Sequence, residues 1–125
     1  MALATQEENG FRYVEEGNGS VLLLLHGLFG ALSNWEGLVT RFSKNYRVII
    51  PMLPLYEMPI REAGLDGLRK FLEDFVALKD LKDLILVGNS LGGHIALMYA
   101  LKNSEKVKKL ILTGSSGLFE DSMGG

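Results

Sequence analysis

Four short, uninterrupted apolar runs constrain the fold of this chain more than any other feature. They occupy residues 21–25, 48–50, 84–87 and 110–112. Apolar runs that do not alternate with polar residues are typical of strands covered on both faces, as in a parallel sheet flanked by helices. The runs therefore predict an α/β fold with about four parallel strands.

Segments with helical spacing separate these runs. Ser33 and Glu36 form an S-x-x-E capping box, which predicts a helix that begins near Asn34. Residues 65–76 place apolar side chains on one helical face and charged ones on the other. Residues 91–102 form a third predicted helix, whose glycines and alanines allow a close approach to the sheet. The alternation of strands and helices predicts a parallel, doubly wound sheet with flanking helices.

The remaining segments complete a single partial domain over residues 1–125. Residues 1–10 are expected to form a disordered tail. Residues 11–16 are predicted as an outer antiparallel strand, turned by Gly17-Asn18-Gly19. Residues 51–59 contain all 3 prolines of the chain and are predicted to form a loop.

Composition excludes several classes of partner. The chain has 13 basic and 15 acidic residues, a balance that favours neither nucleic acid nor an anionic membrane. It has no cysteine, so disulfides and thiolate zinc sites are excluded, and no metal or cofactor is expected. The longest apolar runs are far shorter than the ~20 residues that span a bilayer. The amino terminus lacks the charge and apolar stretch of a secretory signal, and we expect a cytoplasmic protein.

The motif Gly88-Asn89-Ser90-Leu91-Gly92 is a G-x-S-x-G sequence between a buried run and a predicted helix, and Gly93 follows it. A serine on such a sharp turn is held in a strained backbone conformation that costs ~1–3 kcal/mol, and glycines flank it because side chains there would collide. The turn projects the hydroxyl above the sheet, and the N–H of Leu91 points to the position of an oxyanion. The alternative is a turn that merely closes a strand–helix unit.

A second motif, His26-Gly27-Leu28-Phe29-Gly30, follows the first apolar run. This loop can bring the N–H of Leu28 opposite that of Leu91, so that both donate to the oxyanion of a tetrahedral intermediate. Losing one such donor typically raises the barrier by ~3–4 kcal/mol. His26 is either a catalytic base or, as we favour, a residue that supports the loop through hydrogen bonds. The predicted supporting residues are His26, Gly27, Phe29 and Asn89.

Together the two motifs resemble the N-terminal half of the α/β-hydrolase superfamily, from residue 11 to the end of the chain. The resemblance implies that Ser90 is the nucleophile and that Leu28 and Leu91 form the oxyanion hole. It also implies that the four apolar runs lie across the sheet in the order second, first, third and fourth. Residues 26–35 are similar to the oxyanion loop of small-acyl esterases, and the Gly88 to Gly93 elbow is similar to that of carbon–carbon bond hydrolases.

The chain departs from the family after the elbow. A complete member is about twice as long and carries its acid and histidine after the serine. The chain has 2 histidines, His26 and His94. His94 lies one helical turn after Ser90 and is interpreted as a packing or surface residue. Glu120 and Asp121 are interpreted as solvated loop charges. We therefore expect this chain to be weak or inactive by itself.

These observations favour a serine hydrolase that acts on a small ester or acyl substrate through Ser90. One alternative is a carbon–carbon bond hydrolase. Another is a non-catalytic hydrolase half, truncated or engineered, that serves as a folding or assembly module. The apolar loop over residues 51–59 either lines an acyl pocket or covers the core. The last run, residues 110–112, is an expected sheet edge that pairs with a complementing C-terminal half or with a second copy.

Overall fold

The computed structural model of the 125-residue chain describes residues 4–26, 36–54 and 60–114, with side chains from residue 64 onward in the last range. The described residues form a six-stranded sheet in the order β1-β2-β4-β3-β5-β6. The elements, in chain order, are β1 (Gln6–Glu8), β2 (Phe11–Glu16), β3 (Ser20–Leu25), α1 (Glu36–Phe42), β4 (Tyr46–Pro51), α2 (Ile60–Lys79), β5 (Leu84–Asn89), α3 (Leu91–Lys102), a 3₁₀ turn (Ser104–Lys106) and β6 (Val107–Thr113).

The parallel part of the sheet follows the order expected from the resemblance. Strand β3 lies between β4 and β5, and Leu22 pairs with Val48 on one side and with Ile85 on the other. Strand β6 pairs in parallel with the far side of β5. The order β4-β3-β5-β6 and the α/β fold class are therefore confirmed.

Strand β3 explains why its apolar run is unbroken. Leu23 and Leu25 belong to the core beneath α2 and α3, whereas Leu22 and Leu24 belong to a second core beneath α1. Successive side chains of a strand point to opposite faces, so helices on both faces require apolar residues at every position. The sheet is thus a central layer between two helical layers.

The apolar run in β6 forms the predicted strand but is not buried. Ile111 is 42% exposed and Leu112 is 52% exposed. Strand β6 is the last strand of the described sheet and pairs there with β5 alone. An edge strand gains full burial only when another element covers its faces, so the expectation of burial on both faces is wrong for these residues.

Strand β2 forms over the predicted residues, but its partner differs from the hairpin expectation. It pairs antiparallel with β4, where Val14 lies opposite Ile50. A Cβ at Gly17 would overlap the backbone carbonyl of Tyr46, so the turn passes directly over the start of β4. The chain therefore crosses β4 and places β3 on its other side.

The expected disordered tail over residues 1–10 is wrong from Gln6 onward. Gln6–Glu8 form β1, which pairs antiparallel with β2. Asn9 and Gly10 make the connecting turn with φ values of 50° and 85°. Asn-Gly is the most favourable sequence for a two-residue hairpin turn, and it was the signal for this strand. The Tyr13 hydroxyl also donates a hydrogen bond of 3.2 Å to Glu8.

The helices agree with the predicted spacing where the structure describes them. Helix α1 is present, and Ser33 and Asn34 of its predicted cap lie outside the described residues. Helix α2 begins at Ile60, before the amphipathic pattern, and is kinked at Gly64, which has φ 59° and ψ −169°. Helix α3 has the predicted bounds. Within the described residues, the helices are too short or too polar to cross a membrane.

The predicted loop over residues 51–59 is partly described. Pro51 is the last residue of β4, so the strand continues one residue into the predicted loop. Leu53 is buried in the core beneath α2 and α3, and Met52 packs against the core beneath α1. These two residues cover the core, and residues 55–59 lie outside the described part of the chain.

Candidate active site

Ser90 lies in a single-residue turn at the carboxyl end of a central parallel strand. Strand β5 ends at Asn89 and helix α3 begins at Leu91. Ser90 has φ 57° and ψ −123°, a conformation that residues other than glycine rarely adopt. Holding a side-chain-bearing residue there costs ~1–3 kcal/mol, which the surrounding structure must offset. The turn is as sharp as the motif predicts.

The Ser90 hydroxyl is not used to cap the following helix. A serine directly before a helix normally accepts a hydrogen bond from a backbone N–H of the first turn. Ser90 makes no such side-chain bond, and its carbonyl oxygen instead accepts the N–H of Gly93 at 2.9 Å. The backbone conformation therefore leaves the hydroxyl available for chemistry.

The glycines around Ser90 allow helix α3 to lie unusually close to the sheet. A Cβ at Gly88 would lie 2.6 Å from the Cα of Gly93. A Cβ at Gly92 would overlap the carbonyl of Leu25 and lie 3.0 Å from the backbone nitrogen of His26. Real Cβ atoms do not approach so closely, so glycine is required at both motif positions. The contact also joins the turn to the end of β3.

The end of strand β6 holds the turn from the side. The Ser90 N–H donates to the carbonyl of Thr113 at 3.2 Å. The Thr113 hydroxyl donates to the side-chain oxygen of Asn89, also at 3.2 Å. Gly114 follows with φ 69°, and a Cβ there would overlap the same Asn89 oxygen. Asn89 thus lies beside Ser90, as the sequence indicated, and is fixed by β6.

Thr113 and Gly114 were missed by the sequence analysis. A weak signal was available, because a polar residue directly after the last apolar run must end beside the elbow if β6 neighbours β5. The register between the strands could not be read from the sequence. That register pairs Asn89 with Thr113.

Of the two predicted oxyanion donors, Leu91 lies within the described residues and Leu28 lies outside them. Leu91 is the first residue of α3, and the first turn of α3 contains no acidic residue. The positive end of the helix dipole therefore adjoins Ser90 without a carboxylate in that turn to offset it. Gly27, Leu28 and Phe29 lie outside the described residues, so the second donor at Leu28 stays a prediction.

The two histidines occupy different environments. His26 directly follows β3 and is half-buried, at the same edge of the sheet as Ser90. His94 is exposed on α3, one turn after Ser90, which agrees with its interpretation as a surface residue. Glu120 and Asp121 lie outside the described residues. No set of three or more histidine, aspartate or glutamate side chains in residues 4–26, 36–54 and 64–114 could hold a metal ion.

A strained serine between a central parallel strand and a closely packed helix is the nucleophile-elbow arrangement of a hydrolase fold. Residues 20–124 match the family described as the alpha/beta hydrolase fold. The chain therefore belongs to the α/β-hydrolase family, and the sequence resemblance is confirmed.

Individual relatives agree with this assignment. The crystal structure of MGS-MChE2, an α/β-hydrolase enzyme from the metagenome of Mar Chica lagoon sediments in Morocco, has 43% identity and a TM-score of 0.85, and the match covers 97% of this chain and 56% of that one. The 2-hydroxy-6-oxo-6-(2'-aminophenyl)hexa-2,4-dienoic acid hydrolase of Metapseudomonas resinovorans is 36% identical, over 86% of this chain and 39% of its own length.

Lipase 1 of Psychrobacter immobilis is 35% identical over 86% of this chain, and the match covers 36% of the lipase. The chain thus spans less than two fifths of the length of each of these two curated hydrolases.

Proposed function

We propose that this chain supplies the nucleophile and the oxyanion donors of a serine hydrolase that cleaves ester-like acyl substrates. The observation that carries the proposal is the backbone of Ser90, which combines φ 57° with ψ −123°, together with a hydroxyl that makes no capping bond at the positive end of α3. A serine in a purely structural turn has no reason to retain this strain. The similarity to a lipase supports an ester as the substrate class.

The proposed chemistry proceeds through an acyl-serine. The Ser90 oxygen attacks the carbonyl carbon and its proton passes to a general base, while the carbonyl oxygen becomes an oxyanion. The N–H groups of Leu91 and Leu28 donate to that oxyanion. When the intermediate collapses, the carbon–oxygen bond to the alcohol breaks and the alcohol leaves with the proton. Water then gives a proton to the base and attacks the acyl carbon, the bond from that carbon to the Ser90 oxygen breaks, and the carboxylic acid leaves while the Ser90 oxygen regains a proton.

For this chemistry Ser90 also needs a general base. His94 is exposed on α3, and the side chains of a helix lie along the helix surface rather than over the turn that precedes it. We propose that the acid and the histidine of the triad come from polypeptide beyond the described residues. Without them, a serine hydrolase retains only ~10³–10⁴-fold acceleration over water, from the oxyanion hole and from binding.

The proposal is tested with p-nitrophenyl acetate, by quenching at low pH and measuring the mass of the intact chain. We expect slow acetylation of the peptide that contains Ser90, identified by proteolysis, because the general base of the triad is supplied from elsewhere. Ser90→Ala should abolish the adduct, whereas Ser104→Ala, which changes an exposed serine elsewhere, should retain it. Acetylation of that same peptide that survives Ser90→Ala would contradict the proposal.

A carbon–carbon bond hydrolase is the second candidate. It is favoured by one observation, the 36% identity to the aminophenyl-hexadienoic acid hydrolase. The two candidates differ in the leaving group, which is a carbanion equivalent in one case and an alkoxide in the other. Turnover of a 2-hydroxy-6-oxo-dienoate, together with no acetylation by the ester, would favour the second candidate.

A further inference from the structure

Two asparagines of the chain are followed directly by glycine, Asn9 before Gly10 and Asn18 before Gly19. The side-chain amide of an asparagine can be attacked by the backbone nitrogen of the next residue, and glycine leaves that nitrogen unshielded because it has no side chain. Both asparagines are exposed. The two sites have the same local chemistry, so a difference between them in the folded chain must come from the structure.

The Asn9-Gly10 turn lies at the outer edge of the sheet. It joins β1 to β2, with φ 50° at Asn9 and 85° at Gly10. Strand β1 has 3 residues, all exposed, and within the described sheet it pairs with β2 alone. A short, exposed edge strand opens locally at a small cost in free energy. No described atom outside the turn lies within 4 Å of the position of a Gly10 Cβ, so water and base can reach the opened turn.

The turn that contains Asn18 is held more firmly. It connects β2 to β3, and both of these strands pair with β4. A Cβ at Gly17 would overlap the carbonyl oxygen of Tyr46. A Cβ at Gly19 would lie 2.7 Å from the carbonyl oxygen of Asn45. This turn can open only if strands that carry part of the core leave the sheet.

Side-chain contacts determine how often β1 opens. The Lys79 ammonium donates a hydrogen bond of 3.0 Å to the Tyr13 hydroxyl, which donates in turn to Glu8 of β1 at 3.2 Å. The same ammonium lies 3.7 Å from the Glu8 carboxylate. The Glu8 side chain is 45% exposed, so these contacts contribute little to stability and give way when the hairpin opens.

We propose that Asn9 is a site of spontaneous deamidation, and that its modification opens the hairpin of β1 and β2 irreversibly. In the closed turn the backbone of Asn9 is fixed at φ 50°, which limits the rotation that ring closure requires. The reaction therefore proceeds from the open hairpin. Asn18 is protected in the folded chain, although glycine follows it as well, because its turn stays closed.

The reaction needs only water and a base from the solvent. The Gly10 nitrogen gives its proton to the base and attacks the side-chain carbonyl carbon of Asn9, and the new carbon–nitrogen bond closes a succinimide ring. The bond from that carbon to the amide nitrogen breaks, and the nitrogen takes a proton and leaves as ammonia. Water then opens the ring. Breaking the bond from the side-chain carbonyl carbon to the Gly10 nitrogen gives aspartate, and breaking the bond from the backbone carbonyl carbon gives isoaspartate.

Isoaspartate at position 9 cannot re-form the turn. Its backbone runs through the Cβ and is therefore longer, whereas a two-residue hairpin turn needs a defined backbone at both positions to set the strand register. Glu8 then no longer lies opposite Phe11. The contacts of Glu8 are lost, and the outer edge of β2 loses the strand that pairs with it.

The experiment incubates the 125-residue chain at mildly alkaline pH and follows both asparagines by mass spectrometry of tryptic peptides. Cleavage after Arg12 separates Asn9 from Asn18. In the folded chain we expect Asn9 to deamidate at least ~10-fold faster than Asn18. In guanidinium chloride, where both turns are lost, the two rates should be similar. Amide hydrogen exchange at residues 6–8 should be faster in the fraction that contains isoaspartate.

Three variants test the link between opening and reaction. Glu8→Ala removes the contacts to Tyr13 and Lys79 and should speed the reaction of Asn9 about 2–5-fold. Glu7→Ala removes the same charge from the same strand and should leave the rate unchanged, since among the described residues Glu7 has no hydrogen bond or ion pair. Asn9→Gly keeps the turn but removes the amide, so residues 6–8 should stay protected throughout the incubation.

Equal rates at the two asparagines of the folded chain, or a faster reaction at Asn18, would overturn the proposal. Unchanged hydrogen exchange at residues 6–8 in the isoaspartate fraction would also overturn it, because the modified turn would then still close. A rate at Asn9 that Glu8→Ala does not raise would show that opening of β1 does not control the reaction.

Discussion

The two edges of the sheet are finished in opposite ways. At the amino-terminal edge, Glu15 of β2 lies 2.9 Å from the ammonium of Lys79 and 2.7 Å from the guanidinium of Arg47. The Lys79 ammonium also lies 4.3 Å above the ring centre of Tyr13. At the β6 edge, Ile111 and Leu112 are exposed on opposite faces. One edge is closed by charges and the other is open and apolar.

The charged edge is stable in water because its ions satisfy each other. Burial alone would raise the pKa of Glu15, but the hydrogen bond from Arg47 and the ion pair with Lys79 outweigh it and hold the pKa below its ordinary value. The β6 edge has no comparable device among the described residues at positions 110–112. The first edge therefore carries paired charges, whereas the second exposes apolar side chains to solvent.

The largest difference in the free energy of unfolding is expected between substitutions of a buried leucine in α2 and an exposed leucine in α3. Leu72 of α2 is fully buried, whereas Leu101 of α3 is 76% exposed. Leu72→Ala should lower the free energy of unfolding by ~2–5 kcal/mol, through lost burial and a cavity. Leu101→Ala should change it by less than ~0.5 kcal/mol. Urea unfolding of the isolated chain measures both, and a large loss for Leu101→Ala would show that the β6 side is already packed.

The next largest loss of stability is expected at Gly92, beside Ser90, which lies between the two edges of the sheet. Gly92→Ala should destabilise the chain by ~1–3 kcal/mol, because its Cβ would overlap the carbonyl of Leu25. Gly37→Ala in α1 is the matched control, since a Cβ there has no neighbour within 4 Å. That control should stabilise the chain by up to about 1 kcal/mol. Thermal unfolding distinguishes them, and equal effects would argue against close packing at the elbow.

The charged edge predicts a pH-dependent effect. Because the folded-state pKa of Glu15 is lowered from 4.5, its stabilisation is present above pH 4.5 and is lost as the pH falls through the folded-state value. Glu15→Gln should cost about 1–2 kcal/mol at pH 7, less than for a fully buried pair. The difference from the wild type should vanish in acid. A difference that is independent of pH would contradict the assignment.

The smallest effect is expected for the hydrogen bond between Asn89 and Thr113, which is partly exposed. Asn89→Ala should cost about 0.5–1.5 kcal/mol of stability. It should also slow the reaction of Ser90 with a fluorophosphonate, since the elbow loses its lateral support. Thr40→Ala removes another exposed hydroxyl bond, to the Glu36 carbonyl, and should leave the reaction rate unchanged. Equal labelling rates in the wild type, Asn89→Ala and Thr40→Ala would show that Asn89 does not support Ser90.

The position of the elbow followed from the sequence, because a G-x-S-x-G motif between a buried run and a helix has few structural solutions. The order of the parallel strands followed from the family resemblance. Strand β1 did not follow from hydrophobic patterning, since its residues are polar and exposed, and its one signal is the Asn9-Gly10 turn. The partner of β2 could not be read from Gly17 and Gly19. Their turn allows a hairpin as readily as a crossing over β4, and tertiary packing decides between them.

The candidate site was predictable to the extent that it is local. Ser90 and its glycines lie within six residues, so one turn geometry fixes them all. Thr113 lies 24 positions from Asn89, and only the strand register brings the two together. The role of Leu28 stays a prediction, because it lies outside the described residues.

The most direct test of this account is labelling with a fluorophosphonate, measured as the mass of the intact 125-residue chain. We expect a slow, stoichiometric adduct on Ser90 that is absent in Ser90→Ala and retained in Ser104→Ala. No adduct above the Ser90→Ala level would contradict the claim that Ser90 is a nucleophile.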